Sequence, residues 1–176
     1  MNRRLVLIRH AKTEGSNPGG DHERELVQRG HDDAGALGDW LREEGLEPGL
    51  VLVSTAVRAR QTLEGLLAGD GAGDDVETWT SRSLYDGGVD GLLEAVSEAD
   101  DAATTVWLVG HEPTISTAAW ELLDKADSSV RAADDIANRL SHGIPTATAI
   151  VLEVDEPWSD LETGSARFVA IHSGRA

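Results

Sequence analysis

The segment RLVLIRHAKT, residues 4–13, decides the fold, because a short apolar run in it ends abruptly on an arginine and a histidine. The apolar residues from Leu5 to Ile8 show no polar alternation, which predicts a strand that is covered on both faces. More runs of this type follow along the chain: Leu50 to Val53, Thr105 to Val109, Thr148 to Leu152 and Phe168 to Ile171. We therefore expect a buried sheet with a helical layer on each side.

Helical periodicity fills most of the intervals between these strands. Apolar residues recur three and four positions apart in stretches that lie around Leu37, Leu63, Leu92 and Ala118. Parallel strands need crossover connections, and these are usually helices. The alternation predicts an α/β fold, a three-layer α/β/α sandwich with a largely parallel central sheet.

Weaker patterns add further elements to this prediction. Residues 69–75 read as an acidic turn, after which Val76 to Trp79 is compatible with another short strand. Val130 to Leu140 has the pattern of a further helix. The last two apolar runs are separated by a loop around Pro157, and we expect them to pair as a hairpin-like edge.

Composition excludes several classes of protein. The chain has 176 residues, which indicates a single domain over residues 1–176. Its net charge of −17 argues against binding nucleic acid or an anionic membrane through a broad basic surface. Cysteine is absent, which excludes disulfide scaffolds, thiolate metal sites and cysteine nucleophiles. No run approaches the ~20 apolar residues of a membrane span, so we expect a cytoplasmic protein.

Basic and imidazole side chains follow three of the predicted strands. Arg9 and His10 end the first strand, Arg58 follows the second, and His111 follows the Thr105 to Val109 strand. In open α/β sheets, ligands bind beyond the carboxyl ends of the strands. Arg58 falls in the first turn of a predicted helix, where a cation is unfavourable unless an anion lies beside it. These positions predict an anion pocket that contains a histidine able to act as a nucleophile.

An arginine and a histidine at the end of a single strand would be typical of a solvated turn. A functional site is indicated because residues of this kind follow three predicted strands that end at the same edge of the sheet. The remaining histidines lack this context. We expect them to be solvent-exposed or to make ordinary hydrogen bonds: His22, His31, His142 and His172.

Three motifs together resemble the histidine phosphatase superfamily. They are Arg9-His10-Ala11, the segment STAVRARQT at residues 54–62 and the segment VGHEP at residues 109–113. The chain is most similar to the short SixA-type phosphohistidine phosphatase branch, over about residues 4–171. The resemblance implies a phosphoglycerate mutase-like fold and a phosphatase that needs no metal or other cofactor. It implies as substrate a phosphorylated protein, such as a phosphotransfer domain, or a small phosphorylated molecule.

The resemblance also implies roles for individual side chains. His10 would accept the phosphoryl group, while Arg9, Arg58 and His111 would hold the phosphoryl oxygens. Guanidinium groups suit this task because they stay charged and bind phosphate through paired hydrogen bonds. His10 attacks only as a neutral ring, and we expect the neighbouring arginines to lower its pKa by like-charge repulsion.

The sequence departs from the superfamily at the proton donor. Members that act on phosphate esters carry a glutamate acid after the second strand, and the stretch from Ser83 to Gly88 offers no clear match. Tyr85 or Asp86 would have to substitute for it. Because ester hydrolysis gains ~10²–10⁴-fold from a positioned acid, a weak acid favours phosphohistidine as substrate. A small-molecule phosphomonoesterase, a non-catalytic phosphate or phosphoprotein sensor and a metallohydrolase remain as alternatives.

Overall fold

The computed structural model describes residues 2–69, 75–127 and 134–175. Within them, the strands are β1 (Arg3–Arg9), β2 (Leu50–Ser54), β3 (Glu77–Ser81), β4 (Thr105–Gly110), β5 (Thr148–Val154) and β6 (Ala166–Ser173). The helices are α1 (Gln28–Glu43), α2 (Val57–Leu66), α3 (Ser83–Asp86), α4 (Gly88–Ser97), α5 (Thr114–Leu122) and α6 (Asp134–Ser141). Two short 3₁₀ helices cover Asp21–Glu23 and Trp158–Asp160.

The strands form one sheet in the order β3-β2-β4-β1-β5-β6. The pairings β3–β2, β2–β4 and β4–β1 are parallel, whereas β5 pairs antiparallel with both β1 and β6. Strand β4 lies between β1 and β2, so the carboxyl ends of these three strands meet at one edge of the sheet. Arg9 at the end of β1 is paired in register with Gly110 at the end of β4.

Helices cover both faces of the sheet because successive residues of each buried strand point to opposite sides. Val6 and Ile8 of β1 pack in a core with α1 and α2. Leu5 and Leu7 pack in the other core with α4, α5 and α6. The predicted three-layer sandwich with a largely parallel sheet is therefore confirmed.

The weaker sequence patterns have mixed outcomes. The last two strands do pair as an antiparallel edge, and β3 begins at Glu77, one residue later than predicted. Of the helix predicted from Val130, the part before residue 134 lies outside the described residues, as do residues 70–74 of the predicted acidic turn. The single-domain boundary stays a prediction. Across the three described ranges, no helix has the length and apolar character needed to cross a membrane.

Helices α1 and α2 approach each other through glycine. A Cβ atom on Gly38 of α1 would overlap the carbonyl oxygen of Leu66, whereas one on Gly35 of the same helix would meet nothing within 4 Å. Only a residue without a side chain allows this close backbone contact. The contact fixes α2, the helix that carries Arg58, against α1.

Candidate active site

His10 follows β1 and is buried, with 9% of its surface exposed. Its Nδ1 lies 2.8 Å from the carbonyl oxygen of Ala11. Because a carbonyl only accepts hydrogen bonds, Nδ1 carries the proton of the neutral ring and Nε2 keeps its lone pair. The ring is therefore held in the tautomer that a nucleophile requires.

A buried threonine joins this loop to α2. The Oγ1 atom of Thr62 accepts a hydrogen bond from the amide of Ala11 at 2.9 Å. The same hydroxyl donates to the carbonyl oxygen of Arg58 at 2.7 Å. The backbone that orients His10 is thus tied to the helix turn that carries Arg58.

The pKa of His10 is lowered to about 3, mainly because burial penalises the charged ring. The nearby His111, Arg58 and Arg9 lower it further, while the hydrogen bond to Ala11 acts in the opposite direction. Like-charge repulsion by the arginines contributes as expected from the sequence, but burial is the larger cause. His10 is consequently neutral at physiological pH.

His111 follows β4 and faces His10, with 5.2 Å between the ring centroids. Its Nε2 lies 2.8 Å from the hydroxyl of Ser54 at the end of β2. Its pKa is lowered to about 4, first by burial and then by Arg58. Its Nδ1 is buried and has no hydrogen-bond partner among the described residues. Two neutral imidazoles thus lie side by side at the sheet edge.

Arg58 lies in the first turn of α2 and is buried, with 6% of its surface exposed. Its Nη1 donates to the carbonyl oxygen of Asp21 at 2.7 Å, and its Nη2 donates to Oδ2 of the same residue at 3.1 Å. The position of Arg58 in the first turn of a helix predicts a neighbouring anion. In the structure, the carboxylate of Asp21 is one such anion. Sequence reasoning did not find Asp21.

Asp21 is the centre of a small hydrogen-bond network above Arg58. The phenol of Tyr85 donates to its Oδ2 at 2.8 Å, and Arg24 donates to its Oδ1 at 3.1 Å. These bonds lower the pKa of Asp21 to about 2, with the Tyr85 bond as the largest cause. Asp21 is therefore charged at every pH at which the protein would be assayed.

Arg9 is held by the loop that follows α6. Its Nη1 donates to the carbonyl oxygen of Ile144 at 2.6 Å. Gly143, which precedes Ile144, has a φ of +79°, a conformation that favours glycine. Burial is the main cause that lowers the pKa of Arg9, and Glu112 opposes it. The Nε atom of Arg9 is buried and has no partner in the described part of the chain.

The two expected proton donors lie in different environments. The ring of Tyr85 is 5.7 Å from that of His111 and its centroid is 5.9 Å from the guanidinium of Arg58. Its pKa is raised, first by the hydrogen bond to Asp21, so the phenol holds its proton tightly. Asp86 instead forms an exposed ion pair with Arg82 at 3.0 Å, and no hydrogen bond or ion pair joins it to the four predicted site residues. Of the two candidates, Tyr85 is the one that lies against His111 and Arg58, and the proton donor itself stays a prediction.

Of the remaining histidines, two lie beside the site. The Nε2 atom of His22 is hydrogen-bonded to Oγ1 of Thr55 at 2.9 Å. The His22 ring also packs edge-on against that of Tyr85, with 4.8 Å between the ring centroids. His142 lines a cavity next to Arg9. His172 stacks on Trp40 at 4.4 Å. The expected ordinary hydrogen bonds are present at His22 and His142, but no sequence pattern indicated that either residue borders the pocket.

The arrangement can bind a tetrahedral anion and attack it. Two guanidinium groups, one from the end of β1 and one from the first turn of α2, converge with two uncharged imidazoles on the carboxyl edge of the sheet. The Nε2 atom of His10 is free of any hydrogen bond within the described ranges. Such fixed donors stabilise charge without having to reorganise. In the described ranges, no three His, Asp or Glu side chains cluster closely enough to hold a metal ion.

Residues 5–81, which include Arg9, His10 and Arg58, match the family model described as the histidine phosphatase superfamily (branch 1). An uncharacterized protein of Mycobacterium tuberculosis is 37% identical over 168 residues, which are 96% of this chain and 100% of the relative. The chain belongs to the histidine phosphatase superfamily. His111 lies beyond the matched segment but beside His10 in the fold.

Solved structures of this superfamily share the architecture. A structure from Nakamurella multipartitia, provisionally named a phosphohistidine phosphatase SixA, is 33% identical with a TM-score of 0.81, over 98% of this chain and 96% of that one. A phosphoglycerate mutase from Plasmodium falciparum is 15% identical with a TM-score of 0.63, over 97% of this chain and 90% of that one. The second likeness is one of fold alone. The expected phosphoglycerate mutase-like fold is confirmed.

Proposed function

We propose that the chain is a metal-independent phosphatase that transfers a phosphoryl group to His10, hydrolyses the adduct and acts on protein phosphohistidine. The observation that carries this proposal is the tautomer of His10, whose Nδ1–H bond to Ala11 leaves Nε2 unprotonated beside Arg58 and His111. The similarity to the Nakamurella structure, which bears the name SixA, supports the same activity.

In the first step, the lone pair of His10 Nε2 attacks phosphorus and the bond from phosphorus to the leaving nitrogen breaks. That nitrogen takes a proton from solvent and departs as part of a neutral imidazole. In the second step, water attacks phosphorus, the bond to His10 breaks, and phosphate leaves with the proton that the water gives up. The transition states are loose, so fixed hydrogen-bond donors that hold the equatorial oxygens supply most of the catalysis. Arg9, Arg58 and His111 have this role in the proposal.

The state of Tyr85 supports phosphohistidine over a phosphate ester. An alkoxide leaving group needs a proton from a positioned acid, and Asp21 holds the phenol of Tyr85 in its protonated form. A phosphorylated imidazole needs less help, since it departs as a neutral ring. We include among the substrates a phosphotransfer domain or another small protein that presents its phosphohistidine at the surface.

Trapping the covalent intermediate tests the proposal. The protein is incubated with phosphoramidate, quenched, digested and mapped by mass spectrometry. We expect an acid-labile, base-stable phosphate on His10, no adduct in His10→Ala, and a normal adduct in His31→Ala, which removes an imidazole from α1 instead. A base-labile adduct on a carboxylate, or no adduct at all, contradicts the proposal.

A substrate panel separates the alternatives. Phosphohistidine peptides, sugar phosphates and nucleotides are compared by kcat/KM. Preference for an ester would favour a phosphomonoesterase, whereas binding of vanadate without turnover of any member would favour a sensor. We expect the phosphohistidine peptides to be the best substrates by at least tenfold, because they alone do not need the acid.

A further inference from the structure

A cavity of about 570 Å³ opens beside Arg9, and neither Asp21 nor Tyr85 is among its described lining residues. It lies between the N-terminal end of α5, the C-terminal end of α6 and the segment that follows β6. Its polar lining includes Arg9, Glu112, Ser116, Ser141, His142 and Arg175. Since Arg9 is one of the proposed phosphoryl ligands, the cavity begins where the phosphoryl group would end. Its volume is typical of a site for a small molecule or a part of one.

Backbone hydrogen bonds next to Arg175 position this residue at the cavity. The amide of Gly174 donates to the carbonyl oxygen of Ala147 at 2.9 Å, and the amide of Ala147 donates to the carbonyl oxygen of His10 at 3.1 Å. A Cβ atom on Gly174 would overlap the carbonyl oxygen of Asp33 in α1, so the segment is pressed against that helix. Arg175 is thus tied to the backbone of the proposed nucleophile through two hydrogen bonds.

The guanidinium of Arg175 is exposed and forms no hydrogen bond or ion pair with any residue in the described ranges. Glu112, the carboxylate in the described cavity lining, forms no ion pair with it. Both oxygens of Glu112 are engaged by Ser116, one by its amide at 3.1 Å and one by its hydroxyl at 2.6 Å. Arg175 also acts on Arg9, whose pKa it lowers. Among the described residues, a chain with a net charge of −17 therefore has an unpaired cation at the edge of its proposed active site.

We propose that this cavity is the leaving-group subsite and that Arg175 selects substrates whose leaving group carries a second anionic group. The inference rests on the proposed phosphatase function and names the substrate class for it. A guanidinium binds a carboxylate through two parallel hydrogen bonds, which makes it a selective partner. His142 adds a polar contact: its Nδ1 donates to the carbonyl oxygen of Asn138 at 2.8 Å, which leaves Nε2 as an acceptor.

Paired phosphonates, which are not hydrolysed, test the subsite by binding alone. Titration calorimetry compares 3-phosphonopropionate with propylphosphonate, and 4-phosphonobutyrate with butylphosphonate. We expect the wild type to bind the carboxylate member of at least one pair about threefold to fivefold more tightly, as for an exposed ion pair. Arg175→Gln should remove the preference. Arg60→Gln, which removes an exposed positive charge from α2 outside the cavity, should retain it.

Equal binding within both pairs overturns the inference, and so does a preference that survives in Arg175→Gln. General electrostatics does not imitate the expected result, because an added carboxylate is repelled by a protein of this net charge.

Turnover measurements identify the source of the anion and separate the two proposals. Free phosphohistidine is compared with phosphohistamine, which lacks only the carboxylate, and a phosphohistidine peptide with a neighbouring Glu is compared with its Gln form. A preference in the first pair assigns the subsite to a small molecule, and one in the second assigns it to an acidic side chain of a protein.

Hydrolysis without any preference refutes the subsite and leaves the phosphatase proposal standing. Selective phosphonate binding without hydrolysis refutes the phosphatase proposal and leaves the subsite standing.

Discussion

Acidification should destabilise this protein through its two buried imidazoles, and His10 allows the effect to be measured. A histidine whose pKa is lowered by folding binds a proton more weakly in the folded state than in the unfolded chain. Its contribution to stability is therefore complete above the unfolded pKa of 6.5 and is lost as the pH falls below that value. The loss continues until the pH reaches the folded pKa of about 3.

The size of the effect follows from these two pKa values. Between pH 7 and pH 5 the unfolded chain gains roughly 0.7 of a proton at His10, while the folded protein gains almost none. Linkage then costs about 2 kcal/mol of the free energy of unfolding. His111, with a pKa of about 4, acts in the same direction over this range. A loss of this size is a large fraction of the ~5–15 kcal/mol that stabilises a typical domain.

Urea unfolding at pH 7 and pH 5, followed by tryptophan fluorescence, provides the measurement. Trp107 and Trp158 are almost fully buried and report on global unfolding. We expect the wild type to lose about 2 kcal/mol more than His10→Gln between the two pH values. His31→Gln should behave like the wild type. If the wild type and His10→Gln lose the same amount, His10 is not held neutral by burial, and the proposed nucleophile would be protonated in mildly acidic solution.

Three more substitutions test the site and the helix contact that supports it. Asp21→Asn should bind inorganic phosphate severalfold more tightly, measured by calorimetry, because a charged carboxylate no longer competes for Arg58; unchanged or weaker binding would contradict this reasoning. Tyr85→Phe should change phosphohistidine turnover by less than about threefold, whereas a proton donor would lose ~10²-fold or more. Gly38→Ala should lower the free energy of unfolding by about 1–3 kcal/mol through overpacking, and Gly35→Ala, where a Cβ meets nothing, should raise it slightly; equal effects of the two would refute the close contact.

The sheet and the core of the site could be predicted because each depends on a local pattern. Unbroken apolar runs give buried parallel strands, and such strands bring the residues at their ends to one edge. His10, Arg58 and His111 needed no more than this to be placed together. Their pairing across the sheet follows from the position of β4 between β1 and β2.

What could not be predicted depends on contacts between distant segments. Asp21 lies in a short 3₁₀ helix without periodicity, and only the folded chain places it over Arg58. The carbonyl oxygen of Ile144 is a backbone acceptor that no side-chain pattern encodes. Tyr85 and Asp86 are adjacent in sequence, but neighbours on a helix point about 100° apart, so one meets the site and the other meets Arg82. The dominance of burial over arginine charge in the pKa of His10 likewise needs coordinates.

The hydroxyl of Thr62 has a consequence for how the site moves. It bonds both to the loop after β1 and to the first turn of α2, so the two segments that would hold the phosphoryl group in the proposed mechanism are joined to each other. We expect the backbone amide of Ala11 to exchange its hydrogen slowly with solvent because its bond to Thr62 protects it.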